Sequence, residues 1–170
     1  CQFMSSMLLD NRIQSARGWL SQTCQLCSAD SGEEPVCSGC ATELPALPEH
    51  CPQCALPSPG GTLCGDCLMR PRQFDRTLAL WRYEFPCNEL VLSLKYHARL
   101  ALAGFFARRF ASRSLPRVDL IVPMPLHPER LAERGCNQAL EIARELSRYA
   151  GARIEPRSAR RVRNTMPQTD

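Results

Sequence analysis

Four CxxC pairs, repeated at a fixed interval, constrain this chain more than any other feature of its sequence. Adding 27 to the positions of the first two pairs, Cys24/Cys27 and Cys37/Cys40, gives the second two, Cys51/Cys54 and Cys64/Cys67. The segment is therefore a tandem repeat of CxxC-x9-CxxC. A CxxC turn presents two thiolates together, and two such turns supply the four sulfurs of a tetrahedral zinc site. The eight cysteines predict two structural zinc ions.

The spacing allows two pairings of the CxxC turns. In the sequential pairing, which a duplicated unit favours, one zinc takes Cys24, Cys27, Cys37 and Cys40 and the other takes Cys51, Cys54, Cys64 and Cys67. In a crossed pairing, alternate turns share a metal. Disulfides or redox pairs are the alternatives to zinc, but a redox CxxC precedes a helix in a βαβ setting, and none of these pairs does. The chain shows no secretory signal, which favours metal binding and predicts a cytoplasmic protein.

Composition divides the chain into a lead-in and two modules. Residues 1–20 form a short amphipathic lead-in. Residues 21–73 contain no aromatic residue and about half of the prolines, so they need metal to become ordered. Residues 74–170 alternate strand-like and helix-like patterns, which indicates an α/β unit with a parallel sheet. The predicted fold is a double zinc ribbon followed by the amino-terminal part of an α/β domain, and no apolar run is long enough to span a membrane.

Hydrophobic periodicity predicts the elements of the second module. The expected helices are Asn88–Ala111, broken near His97–Arg99, and Asn137–Tyr149, which ends at Gly151. The expected strands are Thr77–Tyr83, Val118–Pro123 and one that begins at Ile154.

Charge differs between the modules. Residues 21–73 carry two basic and six acidic side chains, and eight thiolates with two Zn²⁺ add a further net charge of −4. Such a surface repels phosphates, so protein docking suits this module better than nucleic-acid binding. Residues 75–170 carry seventeen basic and ten acidic side chains, and Lys95 is the only lysine of the chain. Arginine binds phosphate in a bidentate manner, so this half is a candidate for a phosphorylated substrate or nucleic acid, with codon bias as the alternative explanation of the arginine content.

The segment Val118–Asn137 predicts an anion site. The loop after a parallel strand, together with the helix N-terminus that follows it, is a natural place for a phosphate. Arg130 and Arg134 are four residues apart, so on a helix they would share a face and could grip one phosphate cluster. A solvated basic face beside Glu129 and Glu133 is the alternative.

Three segments resemble the ComF family, the competence-associated proteins related to phosphoribosyltransferases. They are the doubled CxxC block with CPQC at Cys51–Cys54, LKYHAR at Leu94–Arg99, and VPMPLHPERLAERGCNQA at Val122–Ala139. The last is similar to the family pattern VPVPLH…RGFNQA, with Cys136 in place of the usual Phe. Arg163, Thr165 and Gln168 resemble the family's R-x-T-x-x-Q segment.

The resemblance implies a double zinc ribbon followed by a type I phosphoribosyltransferase domain that binds 5-phosphoribosyl 1-pyrophosphate (PRPP) with Mg²⁺. It also implies a family link to DNA uptake and competence proteins. The substrate-binding residues that it implies are Lys95, Pro123, Pro125, His127, Arg130, Arg134, Asn137 and Gln138.

One departure from the family bears on activity. A type I phosphoribosyltransferase holds the ribose with two adjacent acids after a strand, but the only adjacent acids here are Glu33 and Glu34, between CxxC turns. We therefore expect a chain truncated before the PRPP loop, inactive as a transferase, with at most weak pyrophosphate binding. The alternative function is a non-enzymatic binding protein, whose ribbons dock a protein partner and whose basic half contacts a partner or nucleic acid.

Overall fold

The computed structural model describes residues 22–113 and 115–165, so the predicted lead-in and Gln168 lie outside the described residues. The chain forms two compact units. One joins the described residues of Cys1–Thr42 to those of Leu90–Asp170, and the other is Glu43–Glu89. The module boundaries drawn from composition, 1–20, 21–73 and 74–170, stay a prediction.

The first CxxC-x9-CxxC unit folds as a small ribbon. Its two antiparallel strands are β1 (Gln22–Thr23) and β2 (Asp30–Gly32), and its second CxxC turn leads into α1 (Ser38–Thr42). The Cys24 N–H donates to the Ala29 carbonyl at 2.8 Å, which closes the first CxxC turn.

The second unit repeats this structure at the same interval of 27 residues. The pairing of Thr23 with Asp30 recurs as a bridge between His50 and Pro57. Helix α1 recurs as α2 (Gly65–Met69), and a short 3-10 helix, Pro59–Gly61, precedes it. Ser28 and Ala55 hold equivalent turn positions, each with φ of 61°, so the duplication extends to the strained residue of the turn.

The core of the α/β part of the first unit is formed by the helix Ala101–Ala111, which has five buried residues. Helix α3 (Cys87–Tyr96) is followed by α4 (Ala101–Ala111), which packs along α6 (Gln138–Ala150). Buried residues of α4 include Leu102, Phe105 and Phe106, and the two phenylalanine rings meet edge to face with centroids 5.7 Å apart. The predicted break in the long helix is observed between α3 and α4.

Local signals fix the ends of α6. The Asn137 side chain accepts hydrogen bonds from the Ala139 and Leu140 N–H groups, which no helical carbonyl can pair. Gly151 follows the helix in the left-handed conformation with φ of 65°. The helix predicted over Asn137–Tyr149 is therefore present with both of its ends where the sequence placed them.

A small parallel sheet completes this part. Strand β3 (Leu120–Ile121) pairs in parallel with β4 (Arg153–Ile154), and α5 (Pro128–Arg134) and α6 lie between them in sequence. The predicted fold class, a double zinc ribbon followed by an α/β region with a parallel sheet, is confirmed. Strand β3 is shorter than the predicted Val118–Pro123, and β4 starts one residue before the predicted start at Ile154.

The strand predicted over Thr77–Tyr83 is wrong. In this stretch, Trp81 forms a single antiparallel bridge with Ala46, and the neighbouring Arg82 N–H donates to the Pro45 carbonyl at 3.0 Å. Proline at position 45 offers no N–H, so the backbone that faces this stretch cannot continue a ladder.

Among the described residues, no helix is long and apolar enough to cross a membrane.

Candidate metal centres and anion site

The structure gathers the eight cysteines into two clusters of four, in sequence order and not crossed. One cluster holds Cys24, Cys27, Cys37 and Cys40, the other Cys51, Cys54, Cys64 and Cys67, and within each all four Sγ atoms lie within 4.8 Å of one another. None of these cysteines forms a disulfide. The backbone supports the first cluster, since the Cys37 N–H points at the Cys24 Sγ at 3.4 Å and the Cys40 N–H at the Cys37 Sγ at 3.5 Å.

The sulfur spacing fits tetrahedral zinc. With a Zn–S distance of about 2.3 Å, the edge of a tetrahedron of four sulfurs around zinc is about 3.8 Å. The Cys27 and Cys37 Sγ atoms are 3.7 Å apart, as are those of Cys54 and Cys64. A disulfide would bring two sulfurs to about 2.05 Å. The two four-cysteine sites therefore fit two structural zinc ions.

The pKa values of the thiols differ widely within each cluster. Burial opposes ionisation of Cys24 and Cys51, yet backbone N–H groups from both CxxC turns of each cluster lower the pKa of each thiol to about 6. Hydrogen bonds with the Cys27 and Cys37 sulfurs raise the pKa of Cys40 to about 12. Zinc binds the deprotonated thiols, so coordination would offset the mutual repulsion of four thiolates in each cluster.

The two clusters differ in their surroundings. Cys27 is exposed in the first cluster, whereas Cys51 and Cys67 are both buried in the second. Burial and the neighbouring sulfurs raise the pKa of Cys67 to about 12, and the Arg72 guanidinium, which hydrogen-bonds to this sulfur, opposes them. Arg72 also pairs with Asp66, so a positive side chain lies beside the second thiolate set.

The predicted anion loop, Pro123–His127, follows β3 and is fixed by Asn137. The Asn137 Nδ2 donates to the Met124 carbonyl at 3.1 Å, while its Oδ1 caps α6. The loop and the start of α6 are thereby held together by one side chain. Both polar atoms of the Asn137 side chain are hydrogen-bonded within the chain, so this side chain has a structural role in shaping the loop.

Arg130 and Arg134 lie on α5 but have different partners. Arg134 stacks on the Tyr96 ring at 5.1 Å from its centroid and donates to the Tyr96 hydroxyl at 3.3 Å. The Arg130 Nε donates to the Asn164 Oδ1 at 3.4 Å, and its guanidinium pairs with Glu133 at 3.5 Å. In this structure they do not converge on one point.

The remaining implied residues join helices or lie buried. Gln138 is 7% exposed, and its Nε2 donates to the Lys95 carbonyl at 3.4 Å, which ties the end of α3 to the start of α6. Pro123 is buried. The His127 Nδ1, at the end of the loop, and the Arg134 Nε, at the end of α5, are buried without a hydrogen-bond partner, so each is left for a ligand or water to satisfy.

A basic groove opens where the two parallel strands end. Its volume is about 480 Å³, and its walls come from the loop after β3, the start of α6 and the segment after β4. Pro125 and Asn137 of the implied set line it, together with Arg144, Arg160 and Arg161, which the sequence analysis did not select. Their signal was the Arg160–Arg161 pair in the segment that follows the last strand, since ligands of open α/β sheets bind beyond the carboxyl ends of strands.

Comparison with known proteins agrees with both halves of the chain. The family described as "Double zinc ribbon domain" matches residues 18–68. DNA utilization protein YhgH of Salmonella typhi is 33% identical over 142 residues, which are 78% of this chain and 63% of that protein. Competence protein F of Haemophilus influenzae is 29% identical over 153 residues, 85% of this chain and 61% of the relative.

Competence protein ComFC of Bacillus subtilis is 31% identical over 127 residues, 68% of this chain and 53% of the relative. The chain thus spans less than two thirds of the length of these relatives. No solved structure matches it. The chain carries a double zinc ribbon domain and is homologous to YhgH and to competence proteins F and ComFC, which agrees with the resemblance to the ComF family found in its sequence.

Proposed function

We propose that this chain binds PRPP, or a similar small molecule that carries a pyrophosphate, in the basic groove, as part of a ComF-like phosphoribosyltransferase. One observation carries the proposal. Arg160 and Arg161 line the groove, and within residues 22–113 and 115–165 neither has an ion-pair partner. Two unpaired guanidinium groups in a groove of ligand size suit a multiply charged phosphate.

The other groove residues have supporting roles in this proposal. The Asn137 side chain holds the Met124 carbonyl and so fixes the loop, whose residues Pro125 and Leu126 line the groove. Arg144 pairs with Glu141 at 2.7 Å, which leaves Arg160 and Arg161 as the main source of uncompensated charge in the groove. Holding the ligand in one orientation is the contribution that such a site makes to a transfer reaction.

The groove does not fit a protein-held Mg²⁺. Among residues 22–113 and 115–165, Glu141 is the only one with a carboxylate that lines the groove, and this carboxylate is already paired with Arg144. Mg²⁺ in proteins is usually bound by one or two carboxylates together with substrate phosphates. We therefore assign no residue of the groove to Mg²⁺ and derive no step through the ion.

Calorimetric titration of the 170-residue chain with PRPP, and separately with inorganic pyrophosphate, tests the proposal. We expect weak binding of both, and the double variant Arg160→Ala/Arg161→Ala should lose about tenfold or more in affinity, because hydrogen bonds to charged groups are lost. Arg157→Ala is the matched control, since Arg157 is exposed in the same segment and does not line the groove. Equal affinities of the double variant and the control would refute the site.

A second candidate is a non-enzymatic role in which the basic half contacts nucleic acid. Residues 153–163 carry five arginines and a single acid, Glu155, and the relatives bear names that refer to DNA utilization and competence. Phosphate contacts of this kind bind without sequence preference and weaken steeply with salt. A competition experiment separates the two candidates. If PRPP displaces a bound single-stranded oligonucleotide no better than a simple salt at the same ionic strength, the result favours the nucleic-acid role and argues against the PRPP site.

A further inference from the structure

The first ribbon contacts the α/β helices right beside one of its cysteine ligands. Within the unit that contains both, the Arg108 Nη2 on α4 donates to the Glu34 Oε2 at 2.5 Å. Val36, between Glu34 and Cys37 in sequence, is 2% exposed. Glu34, Val36 and Cys37 line a groove of about 500 Å³ together with Phe105 and Arg108. A candidate zinc ligand and the ion pair with the helix therefore lie three residues apart, on one wall of this groove.

Arg108 joins three elements. Its burial lowers the pKa of the guanidinium, but hydrogen bonds with the Glu34 carboxylate and with the hydroxyl of Tyr149 on α6 raise the pKa above its usual value. Gly104, one turn earlier on α4, leaves room for this side chain, since a Cβ there would lie 3.3 Å from the Arg108 Nη1.

Helix α6 carries this linkage to the ligand groove. Tyr149 lies in the last turn of α6, and α6 packs along α4. The opposite end of α6 supplies Leu140, Glu141 and Arg144 to the basic groove described above. The linkage thus runs from the backbone of residues 34–37 through the Glu34–Arg108 ion pair to α4, and from α4 to α6 through the packing of the two helices.

We propose that the first four-cysteine site is a metal-dependent clamp on the α/β helices. Metal bound there fixes residues 34–37, keeps Arg108 between the ribbon and α6, and so supports ligand binding in the basic groove. The second four-cysteine site, which belongs to the other compact unit, has no such part in holding α6. The effect on ligand binding rests on the proposed function, whereas the effect of the metal on α4 and α6 does not.

Two matched cysteine variants test the proposal. Cys40→Ser and Cys67→Ser remove equivalent ligands 27 residues apart, and each should leave one zinc per chain. We expect Cys40→Ser to speed amide hydrogen exchange of Gln138–Ala150 by about tenfold or more and to weaken pyrophosphate binding, while Cys67→Ser changes that exchange by less than about twofold. Equal acceleration in both variants, or none in Cys40→Ser, overturns the proposal.

A second pair of variants keeps both metals in place, because loss of a metal can unfold a chain. Glu34→Gln removes the charge that holds Arg108, and Glu33→Gln changes an exposed neighbour in the same way. We expect Glu34→Gln to speed exchange in α6 by about threefold with two zinc ions retained, as the loss of a half-exposed ion pair implies, and Glu33→Gln to leave it unchanged. Indistinguishable exchange in these two variants contradicts the clamp. If exchange follows the prediction but pyrophosphate binds to no variant, the proposed function fails and the clamp stands.

Discussion

Replacing Asn137 by alanine should destabilise the α/β unit through two separate losses. The Oδ1 caps α6 by accepting from the Ala139 and Leu140 N–H groups at 3.0 and 3.4 Å. Loss of such a cap costs about 1 kcal/mol. The Nδ2 bond to the Met124 carbonyl at 3.1 Å contributes about 1 kcal/mol more. Asn137→Ala should therefore lower the free energy of unfolding by about 2 kcal/mol.

Asn137→Asp separates the two losses, because a carboxylate keeps the acceptor for the cap and lacks the donor to Met124. It should cost about 1 kcal/mol, half the effect of Asn137→Ala. The assay is urea unfolding of the zinc-loaded chains, followed by circular dichroism. Thermal midpoints should fall by about 4 to 8 °C for Asn137→Ala in a chain of this size. A loss below about 0.5 kcal/mol in Asn137→Ala, or equal losses in the two variants, would refute this account of the cap and the loop.

Three further predictions concern metal, pH and charge. Elemental analysis of the chain purified without chelator should give two zinc ions, and a metal-free chain with full native circular dichroism would contradict the assignment of the two four-cysteine sites. Zinc lowers the pKa of the thiols that it binds, so its stabilisation is present at neutral pH and is lost as the pH falls and the thiols take up protons. A colorimetric chelator should therefore capture zinc faster at about pH 5 than at about pH 7, and equal rates would contradict thiolate ligation. Any salt-sensitive affinity for single-stranded DNA should fall in Arg157→Ala/Arg163→Ala but not in Arg70→Ala/Arg76→Ala. Arg70 lies within the acidic residues 21–73 and Arg76 lies next to them, whereas residues 153–163 concentrate the charge that attracts phosphate. Equal effects of the two double variants would contradict this.

Features that depend on neighbouring residues could be read from the sequence. The 27-residue interval predicted two ribbons, and the structure repeats them down to the bridge of Thr23 with Asp30 and that of His50 with Pro57. Asn137 and Gly151 marked the ends of α6 because a cap and a left-handed glycine act within one helical turn.

Features that depend on distant residues could not be read in this way. The stretch Thr77–Tyr83 has the composition of a strand, but a strand needs a partner, and the facing backbone around Pro45 cannot provide a ladder. Arg108 and Glu34 are 74 residues apart, and neither belongs to a motif. Arg134 was placed beside a phosphate from its spacing to Arg130, whereas its observed partner is Tyr96 of another helix, and its part in ligand binding stays a prediction.

The basic groove as a pyrophosphate site is tested most directly by locating the ligand. Titration of the isotopically labelled chain with inorganic pyrophosphate, followed by two-dimensional NMR, reports the shift of every assigned amide and arginine Nε–H signal. We expect the largest shifts at the Arg160 and Arg161 Nε–H groups and in the backbone of residues 123–127, with saturable curves that share one dissociation constant. Saturable shifts confined to Glu43–Glu89, or shifts spread evenly over all exposed arginines, would contradict the account.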